Sequence, residues 1–392
     1  MGDATLTYRH EAGMNFTRIL PHIVVGSCPQ NRADVARLAE EEGVQAILCL
    51  QEDCDAEHFG FSLRTIAEAC EARGVRHLQV PTKDFDGMSL RAQVASAVRA
   101  AWPFAQRPEG AYGAWEMCNE GDGAEKNEEA LPEGESDSMR LPHIAAQLPA
   151  GPMPTLYVHC TAGLGRAPAV AIALMWWVLG WPLLEAYARL VRLRPCAPRL
   201  ESLRAAAVDL LGSGPGSGPA LVPAAVQLLG GWPHGVCIAG LGRSWRDPVP
   251  LRWESCAGED EEPGAGDDAD AQICLDVPAP CEYDPVLRRG LRLANALQGR
   301  WTHRTRLLPG SYAYKLVVQG RWTTSPDHPR AVDAGGALNN VLQVPYPDQS
   351  EAAREQRARL LSGEGSGELT VEERERLRQL LGGKAKEDSA AS

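Results

Sequence analysis

The segment TLYVHCTAGLGRAPAVAIALMWWVLGWPLL, Thr155 to Leu184, passes from an apolar strand pattern through a glycine-containing loop into a long apolar helix pattern. Such a unit belongs in a parallel α/β sheet, and the upstream sequence alternates in the same way. An apolar stretch at Ile23 to Val25 precedes a helical pattern from Asp34 to Glu42 and the buried run AILCL, Ala46 to Leu50. A helix pattern follows from Leu63 to Arg73, then the strand pattern HLQVP from His77 to Pro81, then a helix pattern from Leu90 to Ala101. Two more helices, Leu184 to Arg194 and Leu200 to Leu211, close an expected α/β domain over 15–211. The apolar run Ala169 to Leu184 contains Pro182 and is shorter than the roughly 20 residues a membrane span needs, so it reads as a buried helix.

Composition bounds the rest of the chain. Its 392 residues suggest two or three domains, at about 100 to 200 residues each. GSGPGSGP, Gly212 to Pro219, has the composition of a flexible linker. Beyond it lie β-like segments at Gly235 to Ala239, Val249 to Trp253, Arg300 to Leu307, Ser311 to Val318 and Arg321 to Thr324. The turn signals between the last three predict antiparallel hairpins and a β-sandwich module over 220–345. Residues 346–392 read as a charged, partly helical, peripheral tail. The net charge of −12 is concentrated in two stretches: Glu116 to Arg140 holds nine acids against two bases, and Glu254 to Asp270 holds eight acids and no base. Both read as acidic insertions, over 107–154 and 254–270, and the remainder is slightly basic. The acidic total therefore does not argue against an anionic substrate, and no Lys/Arg block suits nucleic acid. Eleven cysteines without a CxxC pair suggest neither a disulfide framework nor structural zinc. No secretory core or basic transit peptide is visible at the N-terminus.

The spacing C-x5-R occurs three times, as Cys70 with Arg76, Cys160 with Arg166 and Cys237 with Arg243, so spacing alone decides nothing. A loop that wraps a phosphate needs a buried strand behind it, glycines where N–H groups turn inward, and a helix whose N-terminus faces the anion. Only Cys160 has all three. Thr161, Ala162, Gly163, Leu164 and Gly165 would then cradle the phosphate, and the N–H groups, the helix and Arg166 favour the Cys160 thiolate. That thiolate attacks phosphorus in line, while the planar fork of Arg166 holds two equatorial oxygens. His159 orients the loop from behind. The leaving alkoxide needs a proton from another loop, and KDFDGMSL, Lys83 to Leu90, supplies Asp84 as the expected acid and Asp86 as the alternative.

Together these residues resemble the dual-specificity branch of the cysteine-dependent phosphatases. More narrowly, HCTAGLGRAPAVA (159–171), VVGSCPQNRADVARLAEEEGVQAILCLQ (24–51) and KDFDGMSLR (83–91) resemble the starch-excess-type phosphoglucan phosphatases of plants and algae, functional counterparts of animal laforin. Ala167, where most relatives carry Ser or Thr, belongs to that pattern. GLGRSWRDPVPL (240–251), LPGSYAYKLVVQGRWT (308–323) and GGALNNVLQV (335–344) resemble a glycogen-binding-type carbohydrate module of family 48.

The resemblance implies an α/β dual-specificity phosphatase fold followed by an immunoglobulin-like sandwich, acting on phosphorylated starch in a plastid, with the cytoplasm as the alternative. No metal or cofactor is implied. Trp245 and Trp322 would offer flat faces to sugar, with Lys315, Asn339 and Asn340 as hydroxyl partners. Phe59 and Phe85 fit the aromatics of the catalytic channel, whereas His58 and Ala197 stand where further aromatics are expected. Two other readings compete: a protein phosphatase tethered to starch, and an idle glucan-binding scaffold, against which the intact Cys160, Arg166 and Asp84 argue. Cys49 ends a run near the same sheet edge as Cys160, so a reversible disulfide between them is expected, with Cys54 as the alternative partner.

Overall fold

The computed structural model describes residues 6–105, 154–213, 221–229, 235–242, 245–255, 299–333, 335–363 and 367–382. The acidic stretch 107–153, the linker 214–219 and the acidic stretch from 256 lie outside the described residues. The chain divides into two units, residues 1–207 with 363–392, and residues 208–362.

In the first unit, β1 (Phe16–Leu20), β2 (Ile23–Gly26), β3 (Val44–Cys49), β4 (Arg76–Gln79) and β5 (Thr155–His159) form one sheet in the order β1-β2-β5-β3-β4. Only the β1 pairing is antiparallel; β2, β5, β3 and β4 run parallel. Ile47, Leu48, Tyr157 and Val158 are all buried, so both faces of the central strands are covered, as a parallel sheet requires. The covering helices are α1 (Arg32–Glu40), α2 (Asp53–His58), α3 (Leu63–Glu71), α4 (Gly87–Ala105), α5 (Arg166–Ala173), α6 (Leu183–Leu193) and α7 (Leu200–Leu211). Local chemistry starts them where they start. Asn31 accepts the N–H groups of Ala33 and Asp34, and Ser62 accepts that of Arg64. In α3, Leu63, Ile66, Ala69 and Cys70 recur at helical spacing and are buried, so Cys70 is a core residue. The long helix expected after the glycine loop does not run uniformly. It passes at Leu174–Val178 into a π-helical turn that buries Trp176 and Trp177 completely.

The C-terminal residues depart from the peripheral tail read from their composition. After α8 (Glu351–Ser362), α9 (Val371–Gly382) belongs to the first unit and packs on α4 and the π-turn. Leu377 and Leu381, one turn apart, are buried. A capping box starts the helix: Thr370 N–H donates to Glu373 Oε2 at 2.9 Å and Glu373 N–H to Thr370 Oγ1 at 3.2 Å. Just before it, Glu368 accepts Leu183 N–H at 2.9 Å and Trp176 Nε1–H at 3.1 Å, capping α6, whose own cap position is Pro182. Three leucines confined to the second half of a highly charged helix make too weak an apolar stripe to read as packed.

In the second unit, β6 (Val222–Leu229), β10 (Gly299–Leu307) and β9 (Arg252–Ser255) make one antiparallel sheet. The other holds β13 (Arg330–Val332), β14 (Leu338–Val344), β11 (Gly310–Val318), β7 (Val236–Gly240) and β8 (Val249–Pro250), with β12 (Arg321–Thr323) also on β11. Alternate residues of both sheets, among them Val226, Leu228, Trp301, Tyr312, Tyr314 and Leu316, are buried. The expected strand Val249 to Trp253 splits at Leu251, because β8 pairs with β7 and β9 with β10 in the other sheet. No helix among the described residues is long and apolar enough to cross a membrane.

Candidate active site

β5 is the middle strand of its sheet, and the loop leaving it is pinned from both sides. Leu50 N–H, beyond β3, donates to His159 O, and Cys28 N–H, beyond β2, donates to Thr161 O, each at 3.0 Å. Gly163 has φ +68, and a Cβ there would lie 2.4 Å from Gly26 O, so the turn accepts only glycine. Below it, Arg194 donates to Gly163 O at 2.9 Å, Ala162 O at 3.2 Å and Asn15 Oδ1 at 2.6 Å. With the carbonyls tied back in this way, the N–H groups of residues 162–165 make no backbone hydrogen bond among the described residues. They and the start of α5 at Arg166 form an anion cradle. Cys160 stands at its base, 3% exposed.

Arg166 is 4% exposed and held from three directions. One terminal nitrogen donates to Asp55 Oδ2 and Thr82 O at 2.7 Å and to Leu50 O at 3.3 Å, and the other to Thr161 Oγ1 at 3.0 Å. Nε lies 3.2 Å from Asp84 Oδ1 but makes no hydrogen bond among the described residues, so it and the second N–H of the nitrogen that meets Thr161 are the donors left for ligand oxygens. Burial pulls this guanidinium down, but Cys160, Asp55 and Asp84 outweigh that and hold it above its ordinary value. Thr161 is fixed in turn by Gln51 Nε2 at 3.1 Å.

The two candidate acids separate cleanly. Asp86 Oδ1 accepts the N–H groups of Met88 at 2.9 Å and Ser89 at 3.0 Å, which makes it the cap of α4. Asp84 faces Arg166 with 38% of its side chain exposed, so it has solvent access as well as a line to the site. His159 is wholly buried with Nδ1 3.3 Å from Cys160 O, and burial lowers it to about 3, so it stays neutral behind the loop. Cys49 ends β3 in register with His159, and its sulfur and the ring nitrogens of His77 and His159 lie within 4.8 Å of one another. Burial pushes the Cys49 thiol up to about 12. Cys54 is exposed on α2.

Phe85, at φ +56, is 88% exposed, and Arg199 holds its carbonyl at 3.2 Å. Phe59 is half-buried rather than open. Its ring stacks on His10 at 4.5 Å and meets Tyr8 edge-on at 5.6 Å and His58 at 4.9 Å. Ala197 sits under the loop, its N–H on Leu164 O at 2.8 Å. Cys237 lies on β7, and the next element among the described residues is the strand β8.

On the second unit, Trp245 and Trp322 are exposed, with ring centroids 6.3 Å apart. The β11 pairings place Lys315 on the face that carries Trp322. The asparagine pair needs correction. Asn340 is fully buried and spent on backbone, accepting Ser325 N–H at 2.7 Å and donating to Ser325 O at 2.9 Å. Its strand parity points it inward, on the face of the buried Tyr314. Asn339, one residue earlier, is 4% exposed and donates to Asp333 Oδ2 at 2.9 Å, so it braces a turn rather than presenting an open amide.

Asp55, Gln51, Arg194, Tyr8 and His10 were not singled out in the sequence. Asp55 had a local signal, the reciprocal cap it makes with Glu52, but its contact with Arg166 spans 111 residues.

Over 384 residues, 96% of this chain and 76% of the relative, the chain is 29% identical to the amyloplastic phosphoglucan phosphatase DSP4 of Castanea sativa. The chain is a cysteine-dependent phosphatase. The phosphatase is also 23% identical to the chloroplastic phosphoglucan phosphatase LSF1 of Arabidopsis thaliana, over 86% of its own length and 43% of that protein. Laforin of Mus musculus is 26% identical across 47% of this chain and 46% of its own. The family model described as the glycogen recognition site of AMP-activated protein kinase matches residues 288–350, which includes Lys315 and Trp322 and stops short of Trp245. The phosphatase thus resembles phosphoglucan phosphatases that carry a carbohydrate-binding module.

Proposed function

We propose that the phosphatase removes phosphate monoesters from glucan chains. The observation that carries this is the presence, in one chain, of an anion cradle with Cys160 at its base and a β module on which the exposed Trp245 and Trp322 lie side by side. Cys160 Sγ attacks phosphorus in line; an S–P bond forms as the P–O bond to the sugar breaks. Arg166 and the N–H groups of the loop stabilise the charge on the equatorial oxygens. Asp84 gives its proton to the leaving sugar oxygen, and water, passing a proton back to the Asp84 carboxylate, then cleaves the S–P bond, releasing inorganic phosphate and restoring the thiolate and the acid. His159, neutral and fixed to Cys160 O, positions the nucleophile. Phe85 and the cluster of Phe59, His10 and Tyr8 would guide the glucan to the site, while Trp245, Trp322 and Lys315 hold it on the module. The amyloplastic and chloroplastic relatives support a plastid setting, with phosphorylated starch as the partner.

Asp84→Ala is expected to lower kcat/KM on alkyl phosphates by about 10²- to 10⁴-fold, the usual worth of a general acid. An aryl phosphate, whose leaving group needs no proton, should lose at least about tenfold less. Equal losses on the two substrates would remove Asp84 from the acid role. Trp322→Ala should weaken co-sedimentation with starch by about tenfold, or ~1.4 kcal/mol. Its loss of turnover on phosphorylated amylopectin should exceed any loss on a small aryl phosphate by at least about fivefold. If both activities fall together, Trp322 supports the fold instead of binding sugar.

A further inference from the structure

The three-stranded sheet turns alternate residues of β10 outward. Trp301 pairs with Leu228 on the inner side, while pairing parity puts Arg300, Thr302, Arg304 and Arg306 on the outer face, where Thr302 itself is covered at 2% exposed. Across the β9 pairing, Arg252 stands opposite Thr302 and Glu254 opposite Arg300. Four guanidinium groups therefore gather on two adjacent strands: Arg304 and Arg306 about 7 Å apart along β10, Arg300 about 13 Å from Arg304, and Arg252 on β9 opposite Thr302 between them. Among the described residues of that face the one carboxylate is Glu254. It is shared, 3.2 Å from Arg300 Nε and 3.0 Å from an Arg304 terminal nitrogen, so it aligns two arginines without neutralising the group. Arg306 is steadied by Leu221 O at 3.1 Å, and Arg252, Arg304 and Arg306 are exposed.

Like charges on neighbouring strand positions repel, and in a chain of net charge −12 they serve no evident purpose of solubility. An anion laid across them relieves the repulsion, and the planar fork of arginine suits phosphate oxygens in particular. We propose that this arginine face is a second polysaccharide contact, one that takes the phosphate monoester groups of a phosphorylated glucan. It lies on the sheet opposite the one that carries Trp322, so a neutral chain on the tryptophans and phosphate groups on the arginines need not compete. The proposal rests on the glucan reading above and adds a function to the module: preference for phosphorylated regions of the polymer. Being open and solvated, the contact is weak singly and sensitive to salt.

The test titrates full-length Cys160→Ser protein, which does not consume the polymer, with soluble phosphorylated amylopectin and with the same batch stripped of phosphate. The parent is compared with Arg252→Gln/Arg304→Gln/Arg306→Gln in the same background. At low ionic strength the parent should prefer the phosphorylated batch by about fivefold, and ~0.5 M salt should reduce that preference to less than about twofold. In the triple variant the low-salt preference should fall to less than about half of the parent's, the remainder being what the phosphate loop binds, with affinity for the stripped polymer and the melting temperature retained. A parent that binds both batches equally overturns the proposal. So does a preference that the triple variant leaves undiminished, since it then belongs wholly to the phosphate loop. Phosphate release from the same amylopectin by Cys160-intact protein is read separately: its absence contradicts the glucan phosphatase reading, and the binding ratio then decides the arginine face by itself.

Discussion

Cys160→Ser is expected to lower phosphate release by at least about 10⁴-fold while phosphorylated glucan still binds, because the mechanism has no other nucleophile and a serine hydroxyl in the cradle is a far weaker one. The geometry explains why binding should survive. The N–H groups of residues 162–165 are positioned by bonds from Arg194, Cys28 and Leu50, none of which involves the sulfur. The measurement is phosphate release by purified protein from amylopectin and from an aryl phosphate, alongside co-sedimentation. Cys237→Ser, on a strand of the module, should stay within about twofold of wild type on the aryl substrate, since no phosphate loop surrounds it. Substantial turnover by Cys160→Ser would contradict the assignment of the nucleophile.

Arg166→Lys is expected to cost about 10³-fold in kcat/KM, despite keeping the charge. One ammonium cannot span Asp55, Thr82 O, Leu50 O and Thr161 and still present a donor to phosphate. The replacement also leaves Asp55 and Asp84 beside the cradle with a point cation that cannot meet both at once, as the guanidinium does. A melting curve distinguishes loss of chemistry from loss of fold. Turnover within about tenfold of wild type in a folded Arg166→Lys protein would show that point charge, and not the fork, is what the site needs.

The sheet and the loop were legible because both rest on local pattern. Apolar runs at Ala46–Leu50 and Thr155–Cys160, separated by helical periodicity, leave few alternatives to a parallel sheet, and Gly163 marks a turn that a side chain would block. What was not legible depends on contacts across long sequence separation. Asp55 reaches Arg166 from the first helix after β3, and Arg194 reaches the loop from the end of α6; a carboxylate or guanidinium in a surface-like helix gives no sign of this in sequence. The same holds for Glu368, which caps α6 from 185 residues away. Asn339 and Asn340 show the opposite limit. Adjacent polar residues at a motif invite one shared role, yet strand alternation sends Asn340 into the core, where only backbone hydrogen bonds can satisfy its amide.

The most direct measurement is the rate of phosphate release from phosphorylated amylopectin set against a phosphotyrosine or phosphoserine peptide, with wild-type protein at matched phosphate concentration. The account predicts kcat/KM at least about tenfold higher on amylopectin, because the module and the exposed aromatics add binding that a peptide cannot use. A preference for the peptide would contradict it and leave a protein phosphatase held on starch, whereas no release from either substrate would leave a glucan-binding scaffold.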